Sequence, residues 1–294
     1  MADLPLMVWG ACNAFSPSKC VTTTTSLGLS KPFLCCKVGF MNPRRIAAAL
    51  AVGLAAGVFA LAPRARGQQP APTAQVQSWH FVQTGTLDYS AILPPPPAPG
   101  SIAAEADLMT VLHLQESRTP EQVAWARRAA AGDLFDFADV LGTWFSKANL
   151  PVTAKLLADV DDDLDAAVVA SKNAFPRPRP FLADPRIHPC VHRPGRNGRY
   201  DSSYPSGHTL GFYVEASVLA RIFPDKRDAL LDFAGRMAWG RVLGGVHFPT
   251  DLAGGRLAAA AIVTILEKNP AYLAAVGQAR AEVAAYLAAQ PRSP

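Results

Sequence analysis

From Ser101 onward, apolar residues recur at helical spacing with little interruption. A first run reaches about Gln115 through Ala103, Ala106, Leu108, Val111, Leu112 and Leu114. Thr119-Pro120-Glu121-Gln122 sets a hydroxyl cap before a proline at the first helical position and predicts a helix through Val123, Trp125 and Ala129. Phe137, Val140, Leu141, Trp144 and Phe145 predict helix over 135–148, and Pro151 opens another that ends near Lys172. Pro176, Pro178 and Pro180 stop it, and the chain to about Ser203 reads as loop. Between Thr209 and Ala220 the one charged side chain is Glu215, which predicts a mostly buried helix over 208–223. Further helices are read from Pro224, from Leu252 to Glu267 and from Tyr272 to Ala289. No alternating strand pattern of useful length and no glycine-rich nucleotide fingerprint interrupts them. The fold class is therefore all-α, a single-domain helical bundle over residues 101–290.

The first hundred residues follow a different pattern. Residues 1–40 lack helical or strand periodicity. Met41-Asn42-Pro43-Arg44-Arg45 is a short basic start, Ile46 to Ala62 is uncharged and apolar, and Ala65-Arg66-Gly67 supplies small residues at cleavage positions. This three-part order predicts a signal peptide over 41–67, and with it a periplasmic or secreted protein, with 1–40 an extension outside the working chain. A membrane anchor is the alternative, for which the apolar segment is short. Residues 68–100 end in Leu93-Pro94-Pro95-Pro96-Pro97-Ala98-Pro99-Gly100, an extended run read as a linker or as an arm lying across the domain.

Composition narrows the function classes. Half the chain is hydrophobic and the formal charge is +5, without a run of like charges suited to a nucleic-acid polymer. Beyond residue 67 the apolar segments are broken by charge or proline, so stable membrane insertion is not expected. Of five cysteines only Cys190 lies past residue 40. His188 and His192 straddle it, but three ligands so close with no fourth make a poor metal site. Asp161-Asp162-Asp163 reads as a solvated acidic face, because neighbours on a helix point apart.

Three separated segments supply what a phosphate group needs. Lys172 and Arg179 bracket a proline-rigid loop. Pro205-Ser206-Gly207-His208 opens the buried helix, whose free N–H groups favour an anion. Arg241, His247 and Asp251 follow. Arg179 and Arg241 can each fork onto two phosphate oxygens, Lys172 adds a point charge, and Ser206 with the Gly207 amide closes the cradle. A neutral imidazole, His247, can then attack in line, with Asp251 fixing its far nitrogen. His208 remains to protonate the leaving oxygen and later to activate water.

The pattern Lys, six residues, Arg-Pro; Pro-Ser-Gly-His; and Arg, five residues, His, three residues, Asp resembles the tripartite signature of the type 2 phosphatidic acid phosphatase and vanadium haloperoxidase superfamily. The Leu-Pro-Pro-Pro-Pro run and Ser-Tyr-Pro-Ser-Gly-His-Thr look most like the soluble bacterial class A acid phosphatases. Gly240 departs from the serine common before the arginine. The resemblance implies hydrolysis of small phosphomonoesters through a phosphohistidine on His247 with no metal or other cofactor. The alternatives it leaves are a vanadium haloperoxidase, with vanadate held through His247, and a lipid phosphate phosphatase. A homo-oligomer through the apolar helix from Leu252 and the alanine-rich tail is a further expectation.

Overall fold

A helical frame surrounds one nearly buried helix. A computed structural model describes residues 79–192 and 202–290. The signal-peptide reading, the extension before it, and Cys12, Cys20, Cys35 and Cys36 lie outside the described residues. In order the helices are α1 (Tyr89–Ile92), α2 (Ile102–Ser117), α3 (Pro120–Ala131), α4 (Ala138–Leu141), α5 (Pro151–Ala174), α6 (Pro180–Ala183), α7 (Gly207–Ile222), α8 (Arg227–Leu243), α9 (Pro249–Leu266) and α10 (Pro270–Ala289). No strand occurs among the described residues, and all of them fall in one compact unit, Pro70–Pro294. The all-α expectation holds.

α7 forms the axis. Leu210, Val214, Ala216, Val218 and Leu219 are fully buried, and the helix packs against α5, α8, α9 and α10. Ser206 caps it, its hydroxyl accepting from Thr209 N at 3.3 Å. α3 begins with the expected cap, completed by reciprocal bonds between Thr119 and Gln122. α8 extends to Leu243 and so carries Arg241 in its last turn.

α3 and α8 approach unusually closely. A Cβ on Gly240 would lie 2.6 Å from Ala129 Cβ. The absence of the serine that the family resemblance leads one to expect there is thus a packing matter, because no side chain fits.

Four local readings change. The 135–148 segment is not one helix: α4 covers 138–141 and ends at Gly142 with φ 102°, after which the chain turns. The loop read from Pro176 to Ser203 contains the single turn α6. α9 is long and apolar enough to cross a membrane by composition, yet its Gly254, Gly255, Ala258, Ala259 and Ile262 are buried in the helical core. Asp161-Asp162-Asp163 is not a uniformly solvated face. Asp163 is 2% exposed and accepts the N–H groups of His80, Phe81 and Val82 at 2.9, 2.8 and 3.0 Å. Its carbonyl accepts the Thr84 hydroxyl. These bonds fix the segment before α1 onto α5, and Val82, Tyr89 and Leu93 enter the core.

Candidate active site

The three motif segments meet at one cavity of about 390 Å³ between α5 and α7. Lys172, Arg179, Gly207, His208, Arg241 and His247 all line it. Ser206 and Asp251 stand behind this wall, each fully buried.

Lys172 comes from the last turn of α5 and is 6% exposed. Its Nζ donates to the carbonyls of Ser202 and Pro205, both at 2.8 Å, pegging the loop that leads into α7. Burial, reinforced by Arg179, pulls its pKa down to about 7. Arg241 is 3% exposed, and its Nε and Nη1 have no hydrogen-bond partner among the described residues. Burial and then Arg179 lower its pKa to about 10. A buried guanidinium with two unanswered N–H groups is costly unless an anion meets it. The Gly207 and His208 amides, first in α7, have no acceptor within the helix and add positive potential on the same wall.

His247 is held on both ring nitrogens. Arg179 Nη1 approaches Nε2 at 3.2 Å and also donates to the Val246 carbonyl at 2.9 Å. A guanidinium can only donate, so Nε2 must accept. The proton therefore sits on Nδ1, which donates to Asp251 Oδ2 at 3.2 Å. Burial, followed by Arg179, Lys172 and Arg241, holds the His247 pKa well below its usual 6.5. The ring is neutral, with its lone pair on the Arg179 guanidinium at the cavity wall.

Asp251 is anchored more heavily than the sequence suggests. It accepts Phe248 N at 2.8 Å and Arg177 Nη1 at 2.6 Å. Burial pushes its carboxyl upward in pKa, and Arg177 opposes this. Arg177 Nη2 in turn pairs with Asp107 of α2 at 2.7 Å, and Asp107 accepts Thr250 N at 3.2 Å and the Thr250 hydroxyl. The Arg177 guanidinium lies 4.2 Å above the Phe248 ring. Sequence reading missed Arg177 and Asp107. The Arg-Pro-Arg-Pro run offered a signal for the first, whereas Asp107 lies in an amphipathic helix with nothing to single it out.

His208 has looser surroundings. Its Nε2 donates to the Ala130 carbonyl at 3.4 Å, and its ring meets Phe212 at a 66° tilt. Burial first, then Arg241, lowers its pKa to about 3. Ser206 does not line the cavity. Its hydroxyl accepts from both Thr209 N and the Thr209 hydroxyl, and its amide donates to the Asp251 carbonyl at 2.9 Å. Cys190 lies elsewhere, its thiol donating to the Leu243 carbonyl at 3.7 Å. Among the described residues no three His, Cys, Asp or Glu side chains are grouped to hold a metal ion.

The chain is similar in sequence to known proteins. Residues 164–273 match the PAP2 superfamily. The chain is 29% identical to a non-specific acid phosphatase of Providencia stuartii over 72% of its own length and 87% of that protein's. It is 27% identical to an acid phosphatase of Zymomonas mobilis over 80% of itself and 88% of the relative. A solved bacterial vanadium-dependent iodoperoxidase has 18% identity and a TM-score of 0.45, covering 70% of this chain and 61% of that one. The helix-and-loop segment that brings all three motifs together matches the PAP2 superfamily, and the chain is similar to the bacterial non-specific acid phosphatases.

Proposed function

We propose that the protein is an acid phosphatase that hydrolyses small phosphate monoesters through a phosphohistidine, without a metal. One observation carries this reading: the buried Arg241 with two unpartnered nitrogens shares a cavity with the lone pair of a neutral His247. The family and the two phosphatase relatives support it.

In the proposed sequence, phosphate oxygens engage Arg241, Lys172 and the α7 amides and compete for Arg179, which releases His247 Nε2. Nε2 attacks phosphorus, a P–N bond forms, and the P–O bond to the alcohol breaks. His208 gives its proton to the departing oxygen. Asp251 stabilises the charged ring through Nδ1–H. Water then attacks phosphorus and loses a proton to His208, the P–N bond breaks, and inorganic phosphate leaves with His247 neutral again. Catalysis rests on placement and charge stabilisation, as phosphoryl transfer requires. Lys172, Arg179 and Arg241 repel a divalent cation from the phosphate position, which argues for metal independence. Because the free site keeps His208 neutral, its proton arrives with the monoanionic ester. The basic start, apolar segment and small residues of 41–67 support export.

The test is p-nitrophenyl phosphate hydrolysis from pH 4 to 9 in EDTA. Activity should survive chelation and disappear in His247→Ala. Activity that vanishes with EDTA and returns with a divalent ion, or that persists in His247→Ala, would overturn the mechanism.

A further inference from the structure

The wall that carries His208 also carries a carboxyl with no structural employment. Glu215 is 6% exposed and lines the same cavity. Among the described residues it makes no hydrogen bond or ion pair. His208, Gly211, Phe212 and Glu215 share one face of α7. The carboxyl folds back toward the start of the helix: a Cβ on Gly211 would lie 3.5 Å from Glu215 Oε1. It therefore sits about one turn, ~5 Å along the axis, from the level of His208, and glycine leaves the path between them open.

The opposite wall repeats the polarity. Along α5 the cavity meets Asp161, Leu164, Asp165, Val168 and Lys172 in that order. The cavity thus has two ends. Lys172, Arg179, Arg241 and the two histidines gather at one, and Asp161, Asp165 and Glu215 at the other. An acidic group this deep is destabilising unless something answers it. Burial, followed by Asp161, Asp136 and Asp133, raises the Glu215 pKa to about 8. The three carboxylates are not grouped as metal ligands, so a larger polyatomic cation fits the spacing better than an ion.

We infer that the acidic end is a leaving-group subsite that selects phosphomonoesters whose alcohol carries a cationic amine a few bonds from the ester oxygen. The inference rests on the phosphomonoesterase reading of the basic end. The phosphate is drawn to Arg241 and Lys172, and the ammonium donates to Glu215 with Asp161 and Asp165 facing it. Alcohols bearing a carboxylate or second phosphate are repelled. Binding of the ammonium displaces the Glu215 proton, so the preference strengthens as pH rises toward 8. The charged and titratable groups around Glu215 are Asp161 and Asp165 from α5, Asp133 and Asp136 from the α3–α4 connection, and His208 on its own helix. Lys172, Arg179, Arg241 and His247 stand at the far end.

Phosphoethanolamine, glycerol 1-phosphate and 3-phosphoglycerate serve as cationic, neutral and anionic probes, with p-nitrophenyl phosphate as reference. In the parent protein kcat/KM should fall in that order, by about tenfold per step. Glu215→Gln should reduce the cation-to-neutral ratio about tenfold and remove its rise toward pH 8. A parent that cleaves p-nitrophenyl phosphate but favours neutral or anionic alcohols overturns the inference, as does an unchanged ratio in Glu215→Gln. A binding arm separates this from the reaction itself. Calorimetry on His247→Ala should show phosphoethanolamine binding more tightly than ethyl phosphate, a difference lost on adding Glu215→Gln. Equal affinities overturn the subsite even if the protein hydrolyses monoesters, and a preference supports it even if it does not. Folding of the variant is not at issue. Relief of the buried acid should raise its melting temperature near pH 8 and leave it unchanged below the ordinary glutamate pKa of 4.5.

Discussion

The two histidines at the cavity occupy opposite kinds of place. His247 is 1% exposed, clamped at both nitrogens, and backed by a chain of four groups: Asp251, Arg177, Asp107 and Thr250. His208 has one long contact to a carbonyl and an aromatic edge, on a wall facing the cavity. A nucleophile gains from a fixed direction and a fixed tautomer. A group that must give a proton to one oxygen and take one from another gains from freedom. In the proposed mechanism two identical side chains are thereby given two tasks by what stands behind them.

The largest expected contrast comes from removing each ring. His247→Ala should abolish p-nitrophenyl phosphate turnover. His208→Ala should lower it by about 10²–10⁴, with phosphoryl-enzyme accumulating when the leaving group is a good one. Equal residual rates in rapid-quench experiments would erase the distinction.

Next is the support behind His247. Arg177→Gln leaves Asp107 and Asp251 buried without their cation. It should cost about 3–5 kcal/mol of stability, measured by urea unfolding, and lower kcat more than it raises KM. Asp107→Asn should do less, since Arg177 keeps Asp251. A variant with parental stability and kcat would show the chain of groups to be idle.

The pH behaviour sharpens the comparison further. His208 and His247 both have folded pKa values below 6.5, so the unfolded chain takes up protons that the native one refuses. Their contribution to stability is present above about pH 6.5 and lost as pH falls through and below it. Glu215 has the opposite sign. Its contribution is fully present below 4.5 and is lost as pH rises toward about 8. Melting temperatures of the parent, His208→Asn and Glu215→Gln across pH should show two opposed slopes, each made shallower by its own substitution. For activity, kcat/KM should decline above the second pKa of the ester, about 6. That break should move with esters of lower pKa, and a break fixed at one pH would assign it to the protein instead.

The smallest effect lies away from the site. Gly240→Ala drives a methyl against Ala129 and should cost about 1–3 kcal/mol with little change in KM. A large KM increase would mean that the last turn of α8 also positions Arg241 through this contact.

Much of this arrangement can be read from residue order. The helices follow from apolar spacing and from proline and threonine at their starts, because those signals are local. Lys172, Arg179, His208, Arg241 and His247 declared themselves by spacing, and the fold places them around one cavity. What escaped was long-range. Nothing local in Asp163 shows that it will bind three amides some eighty residues earlier in the chain. Asp107 gives no sign that it will meet Arg177. Segment 135–148 has helical periodicity, but Gly142 at positive φ and the Trp144 ring beside it break the helix. Ser206 has the residue type for a phosphate contact, and its oxygen also accepts the cap of α7 from behind the cavity wall.

Tyr204 joins parts of the chain that the motifs leave separate. Its hydroxyl donates to the Pro94 carbonyl at 2.7 Å, and its ring presses on α9 where a Cβ at Gly254 would come within 2.6 Å. The proline run is therefore a brace for the loop that enters α7. Strain applied to that run by shortening it is transmitted through one phenol to the turn that presents Gly207 and His208. Shortening the proline run should accordingly lower turnover, and Tyr204→Phe should uncouple the two.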